Sequence, residues 1–358
     1  MQINDLMNNT KALSLSQALE ARKHMPITKA ELIEKTRSAI QFIEQRNWNM
    51  GEGYKAPHFP LFTQKLEGIE SGLYLFAGES NVGKTAIMMN IFWDLALNPA
   101  NKLYGIYFSL DDAKTEIYPR IISMQQSIPI GCVKKPALFE KKVKEDPNTY
   151  SHYLDYLAKR KAGYDMLLEQ AEHVNVIDNS NESEGCSNEQ QMFEMIKKIQ
   201  DAVKKDNPDA NIIVAIDAID DIRLKNDVVD RAEEIAKTVK KWAVELDIPI
   251  FCSKHLKKLN GNRPPILDDL RDSNTLIYEA SAVFLVSNDV SKNKQQAKIF
   301  YLSEDGETKQ PIIQLDWAKN KKSSYKGITF SHFIPDFSKA SECTEEQCKH
   351  YEASLYSL

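Results

Sequence analysis

With 358 residues and 40.9 kDa, the chain can bury one large hydrophobic core or two modest ones, which excludes a small scaffold stapled by disulfides. A hydrophobic share of 42% beside 27% charged residues, with no run approaching the ~20 apolar residues of a membrane span, points to a cytoplasmic globular protein with no membrane partner. The net charge of −5 removes the argument for nucleic acid from an overall basic surface, although a ring needs positive charge only on the loops that line its channel.

The first residues, MQINDLMNNTKALSLSQALEARKHM, are polar and lack the apolar stretch of a signal peptide. Thr28-Lys29-Ala30-Glu31 reads as a capping box, after which Leu32, Thr36, Ala39, Ile40 and Ile43 recur at helical spacing. The spacing predicts a half-apolar arm from Thr28 to Trp48. Gly51, Gly53, Pro57 and Pro60 then interrupt regular structure and mark a linker. Residues 1–60 are therefore expected as arm and linker, 61–335 as the main domain and 336–358 as a polar tail.

From about residue 65, short β-rich runs alternate with amphipathic stretches: GLYLFAG, KLYGIYFSL, HVNVID, ANIIVAID, DIPIFCS and ASAVFLVS. This pattern predicts an α/β fold with a mostly parallel central sheet flanked by helices. Residues 134–171 are highly charged and read as solvated helices between two core strands. The five cysteines, Cys132, Cys186, Cys252, Cys343 and Cys348, share no recurring spacing, which suits reduced thiols. Cys343, Cys348 and His350 lack a fourth ligand for a structural metal.

Gly78-Glu79-Ser80-Asn81-Val82-Gly83-Lys84-Thr85 matches G-x-x-x-x-G-K-[ST] and lies between the apolar run Leu73 to Ala77 and the helical pattern AIMMNIFWDLAL. Strand, loop and helix in that order are what a phosphate cradle needs: glycines let backbone N–H groups wrap the anion, and a helix N-terminus adds a favourable dipole. Gly78, Ser80, Asn81, Val82, Gly83, Lys84, Thr85 and Ala86 are the expected ATP-binding set. Lys84 would reach the β- and γ-phosphates and Thr85 would place its hydroxyl on Mg²⁺. Ile212 to Asp217 is an apolar strand ending in an acid, so Asp217 is the second expected contributor to the metal site.

Four further segments carry a family resemblance. Tyr107-Phe108-Ser109-Leu110-Asp111-Asp112 is similar to an F-S-L-E-M segment, and Phe251-Cys252-Ser253-Lys254-His255-Leu256-Lys257 to a segment ending in S-Q-L or H-L-K. Arg263-Pro264-Pro265-Ile266-Leu267-Asp268-Asp269-Leu270-Arg271-Asp272-Ser273 resembles R-P-x-x-x-D-L-R-E-S-G, and Leu315 to Lys322 stands where a K-x-R finger is found. In this order they resemble the motor domain of DnaB-like and phage replicative helicases, from about Phe62 to about Phe333. The resemblance implies a RecA-like P-loop NTPase core, ATP and Mg²⁺, and a homo-hexameric ring translocating on single-stranded DNA, with a loader or primase as partner.

By the same resemblance Asp111 activates the attacking water, one methylene shorter than the family's glutamate, and Arg120 falls on a family arginine. His255 senses the γ-phosphate, with Lys254 as the competing choice. Arg271, Asp272 and Asn274 lie next to DNA, Asn274 replacing a glycine. Lys319 and Lys321 complete a neighbour's site in trans, Lys321 replacing an arginine and so lacking its planar fork. Arg223 and Lys225 are candidates for a second channel loop. The altered acid, the altered finger and the acidic balance leave a rival open: a KaiC-like or recombinase-like ATPase regulator, or an ATP-binding structural subunit of a replication or defence complex.

Overall fold

A computed structural model of the chain describes residues 28–50, 53–179, 188–259, 261, 263–303 and 306–356; Cys186 lies outside them. The chain divides into two compact units, one ending at Gly51 and one starting at Glu52. In the first, helix α1 (Lys29–Met50) opens on the expected capping box. Glu31 N–H donates to the Thr28 hydroxyl at 3.2 Å, and Thr28 N–H donates to the Glu31 carboxylate at 2.9 Å. Leu32, Ile33, Ile40 and Ile43 are exposed along this helix.

The second unit is built on strands β1 (Gly72–Gly78), β2 (Leu103–Ser109), β3 (Val174–Asp178), β4 (Asn211–Asp217), β5 (Pro249–His255), β6 (Ala282–Asn288), β7 (Phe300–Leu302), β8 (Lys309–Asn320), β9 (Ile328–Ile334) and β10 (Lys339–Glu342). They form one sheet in the order β10-β9-β8-β6-β1-β5-β4-β2-β3, with β7 paired to β8. The six strands from β6 to β3 run parallel, and β8, β9 and β10 extend the sheet antiparallel. The helices are α2 (Pro60–Lys65), α3 (Lys84–Leu97), α4 (Lys114–Gln126), α5 (Ile130–Lys134), α6 (Pro136–Glu145), α7 (Pro147–Tyr150), α8 (Tyr153–Gln170), α9 (Glu189–Asp206), α10 (Arg231–Glu245), α11 (Asn274–Glu279), α12 (Asp289–Asn293) and α13 (Glu345–Tyr356).

Because successive strand residues face opposite sides, each parallel strand serves two cores. Tyr74, Phe76, Tyr107, Ala215, Phe251 and Phe284 join the core under α3, whereas Leu75, Ala77, Ile106, Val214, Cys252 and Leu285 join the core under α9 and α10. Burial on both faces explains why these strands read as unbroken apolar runs.

Helix α3 is apolar nearly all round, and its buried residues from Ala86 to Ala96 find cover on both sides. One side rests on the sheet, where Gly105 admits it: a Cβ there would stand 2.9 Å from Phe92 Cζ and 3.0 Å from Ala96 Cβ. On the other, Asn90 Nδ2 donates to Ser338 O at 2.9 Å and its Oδ1 accepts Ala340 N–H at 3.2 Å. The segment 336–358, a polar tail by sequence, thus supplies β10 and α13 and buries Cys343. Likewise Tyr54 pairs with Ile69, and Phe59 is buried, so the stretch read as linker belongs to the compact unit.

Candidate functional site

Four neighbouring parallel strands, β1, β5, β4 and β2, end at one edge of the sheet, where Gly78 lies beside His255 and Ser109 beside Asp217. Chain ends and loops at the carboxyl edge of a parallel sheet are where α/β proteins bind ligands. The phosphate loop follows β1 and Asp111 follows β2, while Asp217 and His255 close β4 and β5. The structure therefore brings together Gly78 to Ala86, Asp111, Asp217 and His255.

The loop needs its glycines. A Cβ on Gly78 would stand 2.5 Å from Val286 O, and Gly83 has φ +99°, with an added Cβ 2.7 Å from Ile313 Cδ1. Asn81 also takes a left-handed φ of 62°. Backbone N–H groups of residues 81–84 meet no protein acceptor among the described residues, and Lys84, Thr85 and Ala86 open α3, whose first-turn donors are free in any helix. That is a cradle for an anion.

Lys84 is buried, with Nζ donating to Glu79 O at 2.6 Å. Burial pushes its ammonium down to about 8, against the opposing pull of Asp217, Asp220, Glu79 and Asp111. Asp217 is buried too, and its carboxylate accepts the Tyr107 hydroxyl at 2.9 Å and the Ser253 hydroxyl. Its backbone carbonyl accepts Leu110 N–H at 2.7 Å and Asp111 N–H at 3.3 Å, which fixes the turn carrying exposed Asp111 to the acid strand. Arg120 pairs with Asp112 at 2.9 Å.

Asp220 and Asp221 extend this acidic edge and were passed over in the sequence. Lys254 pairs with Asp220, which also accepts His255 N–H at 3.2 Å, leaving the His255 side chain exposed. Burial, with Asp111 and Asp220 close by, raises the Asp221 carboxyl. Glu79 was missed as well: it pairs with Lys292 and accepts Leu259 N–H at 2.8 Å. Burial raises its carboxyl, but those two partners outweigh it and hold the group below its ordinary value. The doubled acid after Asp217 was the readable signal; no spacing rule flags Tyr107, Ser253 or Lys292.

Among the described residues no group of three or more His, Cys, Asp or Glu side chains could hold a metal by itself. One hydroxyl and one carboxylate suit Mg²⁺, which keeps several waters and shares the phosphates as ligands. Thr85 and Asp217 at one edge fit that requirement.

Lys319 and Lys321 are not brought to this site. Lys319 pairs with Val283, level with Leu75 midway along β1, and Lys321 N–H donates to Ser281 O at 2.8 Å, level with Leu73 near its start. From Leu73 to Gly78 a strand climbs ~16 Å. Both ammonium groups donate instead to the end of α11: Lys319 to Ile277 O and Tyr278 O, Lys321 to Tyr278 O at 2.8 Å. Burial and then Lys321 push the Lys319 ammonium down to about 8.

Leu267–Ser273 forms a 3-10 turn leading into α11; the side chains of Arg271, Asp272 and Ser273 lie outside the described residues. Asn274 is exposed and helical, φ −52° and ψ −41°, so replacing a glycine brings no left-handed strain. Lys225 docks on α9 through Glu189 and Gln190, and Arg223 is exposed.

The family model for the DnaB-like helicase C terminal domain matches residues 56–339. The probable plasmid replicative DNA helicase of Chlamydia muridarum (strain MoPn / Nigg) is 23% identical over 265 residues, 71% of this chain and 51% of the relative, so the chain spans about half that protein's length. One solved ATPase domain is similar with a TM-score of 0.65 at 19% identity, over 86% of this chain and 98% of that one. A DnaB-like replicative helicase, solved in a study of its interactions with primase, reaches a TM-score of 0.62 at 19% identity, over 92% and 71%. These likenesses are of fold: a RecA-like core, as the sequence leads one to expect.

Proposed function

We propose, from the premise that this chain belongs to the DnaB-like helicase C-terminal domain family, that it hydrolyses ATP at subunit interfaces of a hexameric ring and uses the cycle to move along single-stranded DNA. The observation that carries the reading is the convergence at one sheet edge of an N–H cradle, a buried cation at Lys84 and a buried acid at Asp217. Lys84 would exchange the Glu79 carbonyl for phosphate oxygens, an acceptor of full charge for a neutral one. Thr85 and Asp217 would hold Mg²⁺, which when bound supplies charge neutralisation at the β- and γ-phosphates.

Asp111, held to the Asp217 carbonyl, would accept a proton from the attacking water, reaching it directly or through a second water because its side chain is short. His255 is the better sensor than Lys254, since Asp220 already engages that lysine. Lys319 and Lys321, far from their own phosphate loop, would act on a neighbour's nucleotide. Arg271, Asp272 and Asn274 would contact the strand, with Arg223 and Lys225 as a second contact. A solved relative was studied with primase, which motivates a primase or loader as partner.

ATP turnover measured with and without single-stranded DNA, alongside the mass of the assembly formed with an ATP analogue, tests this reading. Stimulation by DNA and a ring-sized assembly are expected. A monomer that binds no nucleotide overturns it, and DNA-independent turnover favours a regulator.

A further inference from the structure

A line of contacts leaves the phosphate loop through a residue the loop motif does not specify. Lys84 Nζ holds the Glu79 carbonyl at 2.6 Å. The Glu79 carboxylate is tied to Leu259 N–H at 2.8 Å and to Lys292, with the Glu79 and Lys292 side chains each 14% exposed. Lys292 Nζ also donates to Arg263 O at 2.9 Å. Arg263 forks onto both carboxylate oxygens of Asp269 at 2.8 and 2.6 Å, and Asp269 in turn accepts Ile266 N–H at 2.8 Å. Asp269 sits in the turn Leu267–Ser273, the segment that bears Arg271 and Asp272. From the same helix as Lys292, Ser291 Oγ donates to Asn81 O at 3.2 Å, so α12 grips the phosphate loop at two points.

We propose that Lys292 is a positioning residue that couples the phosphate loop to the strand-contacting loop, so that nucleotide occupancy sets the affinity for single-stranded DNA. This rests on the motor reading above. The two arrangements are defined by Lys84: on the Glu79 carbonyl when phosphates are absent, on the phosphates when they arrive. Releasing that carbonyl frees residue 79, whose side chain is fastened through Lys292 to Arg263. A charge pair largely removed from water does not give up one partner readily, and a two-pronged arginine–carboxylate contact is stiff, so movement at residue 79 is transmitted rather than absorbed. Glu79 and Lys292 also line an open cleft of about 520 Å³ with Leu256, Lys258 and Leu259, which leaves space for that movement. Lys292 itself lies outside both contact sets, which makes it the place to cut the connection.

Binding of a fluorescent oligo-dT strand is measured with and without a non-hydrolysable ATP analogue, for the wild-type chain, Lys292→Met, Lys292→Arg and the double variant Glu79→Gln/Lys292→Met. In the wild type the analogue shifts DNA affinity on the order of tenfold, an ordinary coupling. In Lys292→Met the shift falls below about twofold, while DNA affinity without nucleotide and turnover at saturating ATP stay at wild-type values, and Lys292→Arg restores it. Lys292→Met also leaves an unpaired carboxylate beside the phosphates and weakens analogue binding; the double variant recovers that affinity but remains uncoupled. Reciprocity requires the same loss in the effect of DNA on analogue affinity. A full shift retained in Lys292→Met, or a fall in its nucleotide-free DNA affinity, overturns the inference alone. A wild-type chain whose DNA affinity ignores nucleotide overturns both this inference and the motor reading.

Discussion

Lys84 carries a tension between folding and binding. Buried among Asp217, Asp220, Glu79 and Asp111, its ammonium sits at about 8 rather than its ordinary 10.5. The unfolded chain holds a proton between those values that the folded chain has released, so this residue's contribution to stability rises with pH through that window. With Lys84 in its proposed place at the phosphates, nucleotide affinity runs the other way, because only the charged form attracts phosphate. ATP-analogue binding to the empty protein is therefore expected to weaken above about pH 8, a slope absent in Lys84→Met. Lys84→Ala is expected to lower turnover on the order of 10²–10³-fold or more, the scale of losing one group that meets developing charge.

The Tyr107 and Ser253 hydroxyls hold the Asp217 carboxylate. Tyr107→Phe removes a hydrogen bond to a buried carboxylate, expected to lower stability by about 1.5–3 kcal/mol in a denaturant titration. If Tyr107 aims Asp217 at the metal site, the same variant needs more Mg²⁺ for half-maximal turnover. Gly83→Ala forces a side chain into left-handed backbone and toward Ile313 Cδ1 at 2.7 Å, costing about 1–3 kcal/mol. Its melting temperature should fall even with no nucleotide present.

At the scale of elements, the site exists because α3 lies flat on β2 and is covered from behind by the chain near Ser338 and Ala340. Gly105 sets that distance. Gly105→Val would push Phe92 and Ala96 outward and lift the helix that carries Lys84, with an expected loss of about 1–3 kcal/mol and a raised KM for ATP. A readout of stability alone, with KM unchanged, would detach the helix position from the phosphate site. The parallel strands and the α3 pattern were legible beforehand because burial on both faces writes itself as unbroken apolar runs. The antiparallel extension was not: β8 and β9 mix polar with apolar residues instead of forming unbroken apolar runs, and for β10 a tail and an edge strand read alike until docking distinguishes them. Glu342 shows this: it accepts Leu61 and Phe62 N–H at 2.7 and 2.8 Å, joining α2 to β10 across the length of the chain.

For the whole molecule, the position of Lys319 and Lys321 has a direct consequence. Their ammonium groups are bound to the carbonyls that end α11, just before β6 begins, and away from their own phosphate loop, which follows β1. If they serve a neighbour, Lys321→Ala and Lys84→Ala are each inactive alone but regain part of the activity when mixed, because one class of interface then combines an intact loop with an intact finger. Absence of any recovery, with mixed assemblies demonstrated by mass, would remove the trans role.

The order of residues alone determined the glycine-bearing turn between β1 and α3, the acid ending β4, the parallel α/β core and the family, because each depends on local spacing: a turn that only glycines make, or a period set by two-sided burial. Tertiary structure decided what spacing cannot encode. Partners such as Tyr107 and Ser253 on Asp217, Asp220 on Lys254, and Lys292 on Glu79 come from distant segments and meet only when strand ends align. It also decided which candidates share a site, since Lys319 and Asp111 look equally plausible along the chain, yet Asp111 follows β2 at the carboxyl edge while the Lys319 ammonium is bound to the end of α11.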